Sequence, residues 1–241
     1  MDPYISVIFP AYNEQERLLP SIMKTAQYFK QWPIDVEIVI VENGSSDDTY
    51  TTAMNAGLQV ARMDATNISF SLKKSRPGKG AACKLGMTVA RGTYILLTDV
   101  DLSTPIHEVT RLLSGLYETD NNIAIGSRRL KYSVVTGLDA TRKLSSLIFS
   151  ILAGPLTPGI RDTQCGFKLL ERNAAQDIAA RMTIDGFAFD VELLHIARRL
   201  KYKIIEMPVA WTHNDNSRVN VFTDSRKMAA DLVKIGRNNY G

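Results

Sequence analysis

Four short apolar runs punctuate the first hundred residues: "ISVIF" (5–9), "VEIVIVE" (36–42), "ISFSL" (68–72) and "TYILLTD" (93–99). Helical stretches lie between them. One runs from about Gln15 to Gln31, one follows "NGSSDDT" with its Ser and Asp N-caps, and "GKGAACKLGMTVARG" (78–92) opens on glycine. Strands that read as unbroken apolar runs are covered on both faces. Their alternation with helices predicts an α/β fold, a mostly parallel Rossmann-like sheet with helices on both sides. Ligands of such sheets gather at the carboxyl ends of the strands. Three polar motifs stand there: "PAYNE", "ENGSSD" and "DVD". The second half is less regular, with strands expected at 122–129, 165–172 and 203–211 and helices at 138–154, 190–200 and 224–237. No repeat or linker breaks the chain, so one domain spanning 1–241 is expected.

In "YILLTDVDLSTP" (94–105) the expected strand continues into Asp99 and Asp101. Strand alternation would turn both carboxylates to one face, where they repel unless a cation lies between them. Asp101, with Asp99 and Ser103, would then hold Mg²⁺ or Mn²⁺ through oxygen ligands and leave positions for a diphosphate. The plainer alternative is a helix-capping pair, with Pro105 at the helix start. In "FPAYNE", Tyr12 is placed to stack on a base and Glu14 to accept from ribose, against a simple turn capped by Asn13. "GKGAAC" lacks the third glycine of a dinucleotide fingerprint and follows the third strand rather than the first. It leaves a helix start packed near a nucleotide or a tight turn. A net charge of +4 suits phosphate-bearing partners and is too small to argue for nucleic acid. Cys83 and Cys165 fit no metal or redox spacing and read as reduced cytosolic thiols. The stretch "LSSLIFSILAGPL" (144–156) is too short to span a bilayer and no signal peptide is evident, so membrane contact is expected to be peripheral.

"PAYNE", "NGSSDDT", "GKGAA", "DVDLSTP", "GSR", "DTQCGFKLL" and "SRVNV", in this order, resemble a family 2 glycosyltransferase of GT-A fold. Within that family the resemblance is to the dolichyl-phosphate glucosyltransferase branch, and more loosely to the dolichyl-phosphate mannosyltransferases. It implies transfer of a sugar from a nucleotide donor to a polyprenyl or dolichyl phosphate, with UDP-glucose favoured as donor. By the same resemblance Pro10, Tyr12, Glu14, Glu42, Gly78, Lys79 and Asp99 would bind the donor, and Asp99, Asp101 and Ser103 the metal. Arg128, Arg142 and Arg218 would meet phosphates, Arg128 and Arg142 on the acceptor side. Asp99, Asp101, Arg128 and Arg218 would carry catalysis. The chain departs from the family pattern where Glu42 and Asn43 replace an Asp-Asp pair before Gly44. It also shows no N-terminal membrane helix of the kind related glucosyltransferases often carry.

Leaving-group charge on a diphosphate calls for a divalent ion, whereas a phosphate monoester acceptor, with a second pKa near ~6, needs no base. His107, His195 and His213 accordingly read as ordinary residues. Without a covalent nucleophile, a single displacement would invert the anomeric centre. Asp162, Gln164, Asp190 and Glu192 are expected to touch the sugar or orient the arginines, Asp190 by orientation or capping. "TRKLSSLIFSILAG" (141–154) combines Arg142 and Lys143 with Leu144, Leu147, Ile148, Ile151 and Leu152 at helical spacing. Such a helix suits the cytoplasmic face of a membrane, aided by Arg226, Lys227, Lys234 and Arg237. The same stripe would equally pack on the sheet or on a second subunit. Competing functions are a GDP-mannose- or UDP-GlcNAc-dependent transferase, a sugar nucleotidyltransferase and a non-catalytic nucleotide-sugar-binding protein.

Overall fold

The structure is a computed structural model and describes residues 2–137, 149–213 and 221–240. Strands β1 (Ile5–Ala11), β2 (Val36–Glu42), β3 (Ile68–Lys74), β4 (Tyr94–Leu97) and β5 (Ile123–Ser127) alternate with helices α1 (Leu18–Phe29), α2 (Thr49–Arg62), α3 (Lys79–Val89) and α4 (Val109–Thr119). There follow β6 (Val134–Thr136), β7 (Lys168–Glu171), α5 (Arg172–Arg181), α6 (Phe189–Arg199), β8 (Ile204–Pro208), β9 (Ala210–Thr212) and α7 (Val221–Arg237). Seven strands form one sheet in the order β3-β2-β1-β4-β7-β5-β8, and β6 pairs with β9 in a separate ribbon. Among the described residues only β7 runs against its neighbours in the large sheet, antiparallel to both β4 and β5. The expected mostly parallel sheet is thus present.

Residue alternation explains the two covered faces. Val7, Phe9, Ile38, Ile40 and Leu96 point to one side, where Leu18, Ile22 and Phe29 of α1 and Leu112 and Leu116 of α4 meet them. Ile8, Val39, Val41, Ile95 and Leu97 point to the other, against Met87 of α3, Ile178 of α5 and Leu193 and Leu194 of α6. Each such side chain contributes on the order of 1.5–3 kcal/mol by leaving water. Two buried faces favour apolar residues along the whole strand, and the polar exceptions Ser6 and Glu37 satisfy each other, Ser6 Oγ donating to Glu37 Oε2 (2.6 Å).

Several boundaries differ from the sequence reading. The first helix starts at Leu18 rather than Gln15 because Glu14 O accepts from Arg17 N and Leu18 N in a turn of its own. The run 165–172 forms a strand only from Lys168, and 203–211 breaks at Val209 between two different sheets. The fourth strand ends at Leu97, so Asp99 and Asp101 do not alternate along it. They lie in a turn in which Leu102 N donates to Asp99 O and Leu102 adopts φ +47°. Pro105 precedes a 3-10 turn, Ile106–Glu108, that leads into α4, so a helix entry is there as well. Of the expected helix 138–154, residues 149–153 are helical, while Arg142, Lys143, Leu144, Leu147 and Ile148 lie outside the described residues.

Candidate active site

Because β7 is antiparallel, its first residue, Lys168, lies beside the last residue of β4 and opposite Ile125 of β5. The carboxyl ends of β1, β2, β4 and β5 and the start of β7 therefore share one edge of the sheet. The first two loops on this edge are laced together. Asn13 at φ +53° accepts from Ser46 N through Oδ1 (2.8 Å), and Asn13 N and Glu14 N donate to the hydroxyls of Ser45 and Thr49. Tyr12 is exposed and Pro10 half-buried beside them. The Glu14 carboxylate grips Arg17 with contacts of 2.8 and 2.9 Å. Glu42, 6% exposed, accepts from Ser45 N and so closes its own turn.

At the centre, Lys79 Nζ lies 2.6 Å from Asp99 Oδ1, with about a quarter and a third of the two side chains still open to solvent. Burial disfavours both charges, yet their mutual attraction prevails, lowering the Asp99 pKa and raising that of Lys79. Gly166 backs this carboxylate so closely that a Cβ there would stand 2.2 Å from Asp99 Oδ2. Behind it is a charge the sequence reading passed over. Lys168 is fully buried, and its Nζ donates to Cys165 O and to Asp190 Oδ1. Burial pushes the Asp190 carboxyl up in spite of both nearby ammonium groups.

Asp101 Oδ1 accepts from Ser103 N (2.9 Å), and Ser103 O accepts from Thr212 N of β9 (2.8 Å). Arg128, just past β5, makes a bidentate pair with buried Asp162 at 2.8 and 2.9 Å and has Trp211 of β9 beneath it at 5.4 Å. Burial alone would raise the Asp162 carboxyl; the hydrogen bonds and charge of Arg128 reverse that and hold it at about 2. Asp162 thus orients an arginine, as expected. Gln164 reaches this pair through its backbone N–H, which donates to Asp162 Oδ1 (3.3 Å). Two other acidic residues do not take the expected roles. Asp190 holds Lys168 instead of an arginine, and Glu192 accepts from Thr183 N, Ile184 N and the Tyr240 hydroxyl, bracing the 183–184 loop.

That loop accounts for the glycines of "GKGAA". Gly80 N donates to Asp185 O, and a Cβ on Gly78 or Gly80 would come within 2.3 Å of Asp185 O or 2.2 Å of Ile184 O. The glycines let α3 start against the loop, placing Lys79 between them and toward Asp99. His195 bonds Leu156 O through its ring, exposed His107 lies 3.9 Å from Glu108 and His213 stacks on Trp211. Arg142 and Arg218 lie outside the described residues. Sequence reasoning missed Gly166, Lys168 and Trp211. A lysine inside the apolar run "CGFKLL" was the one available signal.

Asp99, Asp101 and Ser103 offer hard oxygen donors from one turn, the chemistry Mg²⁺ and Mn²⁺ prefer. Among the described residues no three His, Cys, Asp or Glu side chains are grouped to hold a metal ion, so an ion at this turn would need water or ligand oxygens to complete its shell.

Residues 6–179 match the description "Glycosyl transferase family 2". The chain belongs to this family. Relatives named dolichyl-phosphate beta-glucosyltransferase include those of Dictyostelium discoideum, 36% identical over 96% of this chain and 73% of that protein, and of Homo sapiens, 35% identical over 96% and 74%. The Saccharomyces cerevisiae protein of the same name is 30% identical over 96% of this chain and 74% of its own length. Among solved structures, glucosyl-3-phosphoglycerate synthase from Mycobacterium tuberculosis in complex with uridine diphosphate superposes with a TM-score of 0.71 at 18% identity, covering 98% of this chain and 82% of that one. The same synthase with Mn²⁺, UDP-glucose and phosphoglyceric acid gives 0.71 at 18% identity, over 98% and 81%. The fold is GT-A, and this family 2 chain is a glycosyltransferase.

Proposed function

We propose that this glycosyltransferase, acting as a single catalytic domain, moves glucose from UDP-glucose to a dolichyl or related polyprenyl phosphate with inversion. The observation that carries the reading is the likeness, along 96% of the chain, to proteins named for transfer of β-glucose to dolichyl phosphate. UDP as the nucleotude carrier is supported by the motifs shared with that branch and by the fold's likeness to a synthase solved with UDP-glucose.

The chain's own residues divide the work. Tyr12 and Pro10 border the face on which the base would lie, and Glu14 and Glu42 hold the loops around it. A divalent ion held by Asp101, with Asp99 and Ser103 beside it, would neutralise the leaving diphosphate. Lys79, paired with Asp99, would serve as a second cation toward the donor phosphates. Arg128, preset by Asp162 and Trp211, would meet the acceptor phosphate with its remaining nitrogen, and Arg142 and Arg218 would add charge on either side. The acceptor is already mostly dianionic at neutral pH, with a second pKa near ~6, and attacks without a base. One displacement on an α-linked donor yields a β-linked lipid product.

The acceptor's lipid keeps it in a bilayer, so the protein would work peripherally at a cytoplasmic membrane face. Ile151 and Leu152, 66% and 53% exposed, support such contact, and no helix among the described residues is long and apolar enough to cross a membrane. The test is nucleoside diphosphate release over a panel of UDP- and GDP-sugars, with and without polyprenyl phosphate and Mg²⁺. Release from UDP-glucose that needs both additions, and a loss of at least ~100-fold in Asp101→Ala with unchanged circular dichroism, are expected. Preference for GDP-mannose, an α-linked product, or binding without turnover would overturn the respective parts.

A further inference from the structure

Lysine is almost never fully buried, and a buried ion pair is seldom kept for stability, since an apolar pair of like volume usually serves as well. Lys168 is nevertheless 0% exposed at the first position of β7, the strand wedged between β4 and β5. Its ammonium has two partners fixed in different parts of the chain. Cys165 O belongs to the segment leading into β7, and Asp190 to the first turn of α6. The peptide between Cys165 and Phe167 is Gly166, on which the Asp99 carboxylate rests without room for a methyl group. Phe167 O accepts from Gly126 N (2.8 Å), so the segment is pinned on its other side as well.

We infer that Lys168 is a positioning residue for Asp99: drawn toward Asp190, its ammonium holds Cys165 O and so fixes the Gly166 backbone that seats the carboxylate. Lys168, 0% exposed, has no open surface to offer a donor or an acceptor. The inference rests on the proposed metal-dependent binding of UDP, for which Asp99 must stand beside Asp101. An ion pair that served stability alone would be replaceable by apolar side chains without consequence for the site.

Full-length wild type is compared with Lys168→Met/Asp190→Val, which removes both charges together and leaves neither unpaired. Thermal unfolding reports on the fold, and isothermal titration of UDP with Mn²⁺ or with chelator reports on the site. The double variant is expected to unfold cooperatively and to bind UDP with Mn²⁺ about 10- to 100-fold more weakly, the usual effect of losing a residue that orients a metal ligand. Its binding of UDP with chelator is expected to match wild type. Asp190→Asn keeps an acceptor for Lys168 and is expected to hold Mn²⁺-dependent affinity within about threefold. Wild-type affinity in the folded double variant overturns the positioning role. If the double variant does not fold, Lys168→Met/Asp190→Asn, which keeps the shape at 190 without the charge pair, decides on the same readout: a tenfold loss supports the role and wild-type affinity overturns it. Wild type that binds UDP equally with Mn²⁺ and with chelator overturns the metal reading itself, and this inference with it.

Discussion

Gly166 has no side chain, and the space one would fill is taken by the Asp99 carboxylate, 2.2 Å from where a Cβ would stand. Gly166→Ala must therefore displace Asp99, break its pair with Lys79 or shift the β7 segment. Overpacking of this kind costs about 1–3 kcal/mol, so a lower melting temperature is expected in calorimetry. The larger effect should be kinetic, a loss of more than ~10-fold in kcat/KM, because a carboxylate moved by a fraction of an ångström no longer meets its ligand. Full activity in this variant would mean that the Asp99 seat is irrelevant to turnover. Arg128 is held differently, with Asp162 in its plane and Trp211 on its face, so two unrelated contacts fix one guanidinium.

Helix α3 owes its position to contact rather than to capping. Its first turn lies against the 183–185 loop, itself braced by Glu192 and Tyr240. Gly80→Ala would drive a methyl group into Ile184 O and Phe189 Cβ, 2.2 and 2.7 Å away. A loss of about 1–3 kcal/mol in urea unfolding is expected, together with weaker donor binding as Lys79 tilts from Asp99. An unchanged denaturation midpoint would show that the loop yields freely. The elements themselves differ in how far the sequence disclosed them. β1, β2 and β4 were plain because strands covered on both faces are apolar at nearly every position. The direction of β7 was not, since an apolar run reads alike both ways and direction is set by where the chain returns. Asp99 and Asp101 stood out because polar motifs after strands are conspicuous; their assignment to a strand face failed because β4 ends at Leu97 and the chain turns at Val100 and Asp101. Gly166, Lys168 and Trp211 acquire their roles only from segments distant in sequence.

For the whole molecule, the Arg128–Asp162 pair makes stability depend on pH. The Asp162 carboxyl, ordinarily at 3.8, is held at about 2 in the fold. A lowered carboxyl contributes fully above the unfolded value and loses its contribution as pH falls through the folded one. About 2 kcal/mol should thus disappear between roughly pH 4 and pH 2. Melting temperatures across this window should fall less steeply in Asp162→Asn, already weaker at neutral pH; parallel curves would refute the linkage. The exposed Ile151 and Leu152 give a second expectation at this scale. Ile151→Glu with Leu152→Glu should pellet at least ~3-fold less with anionic liposomes, since each loses apolar burial in the interface and adds repulsion. Equal pelleting would assign membrane contact elsewhere. A last consequence comes from the one reversed strand. β7 sits between β4 and β5 but follows both in sequence, so a growing chain presents two open edges before their shared neighbour has been synthesised. Those edges are parallel and apolar, and direct pairing between them would bar β7 from its slot. The ribosome thus releases the wedge of this sheet only after the gap it must fill.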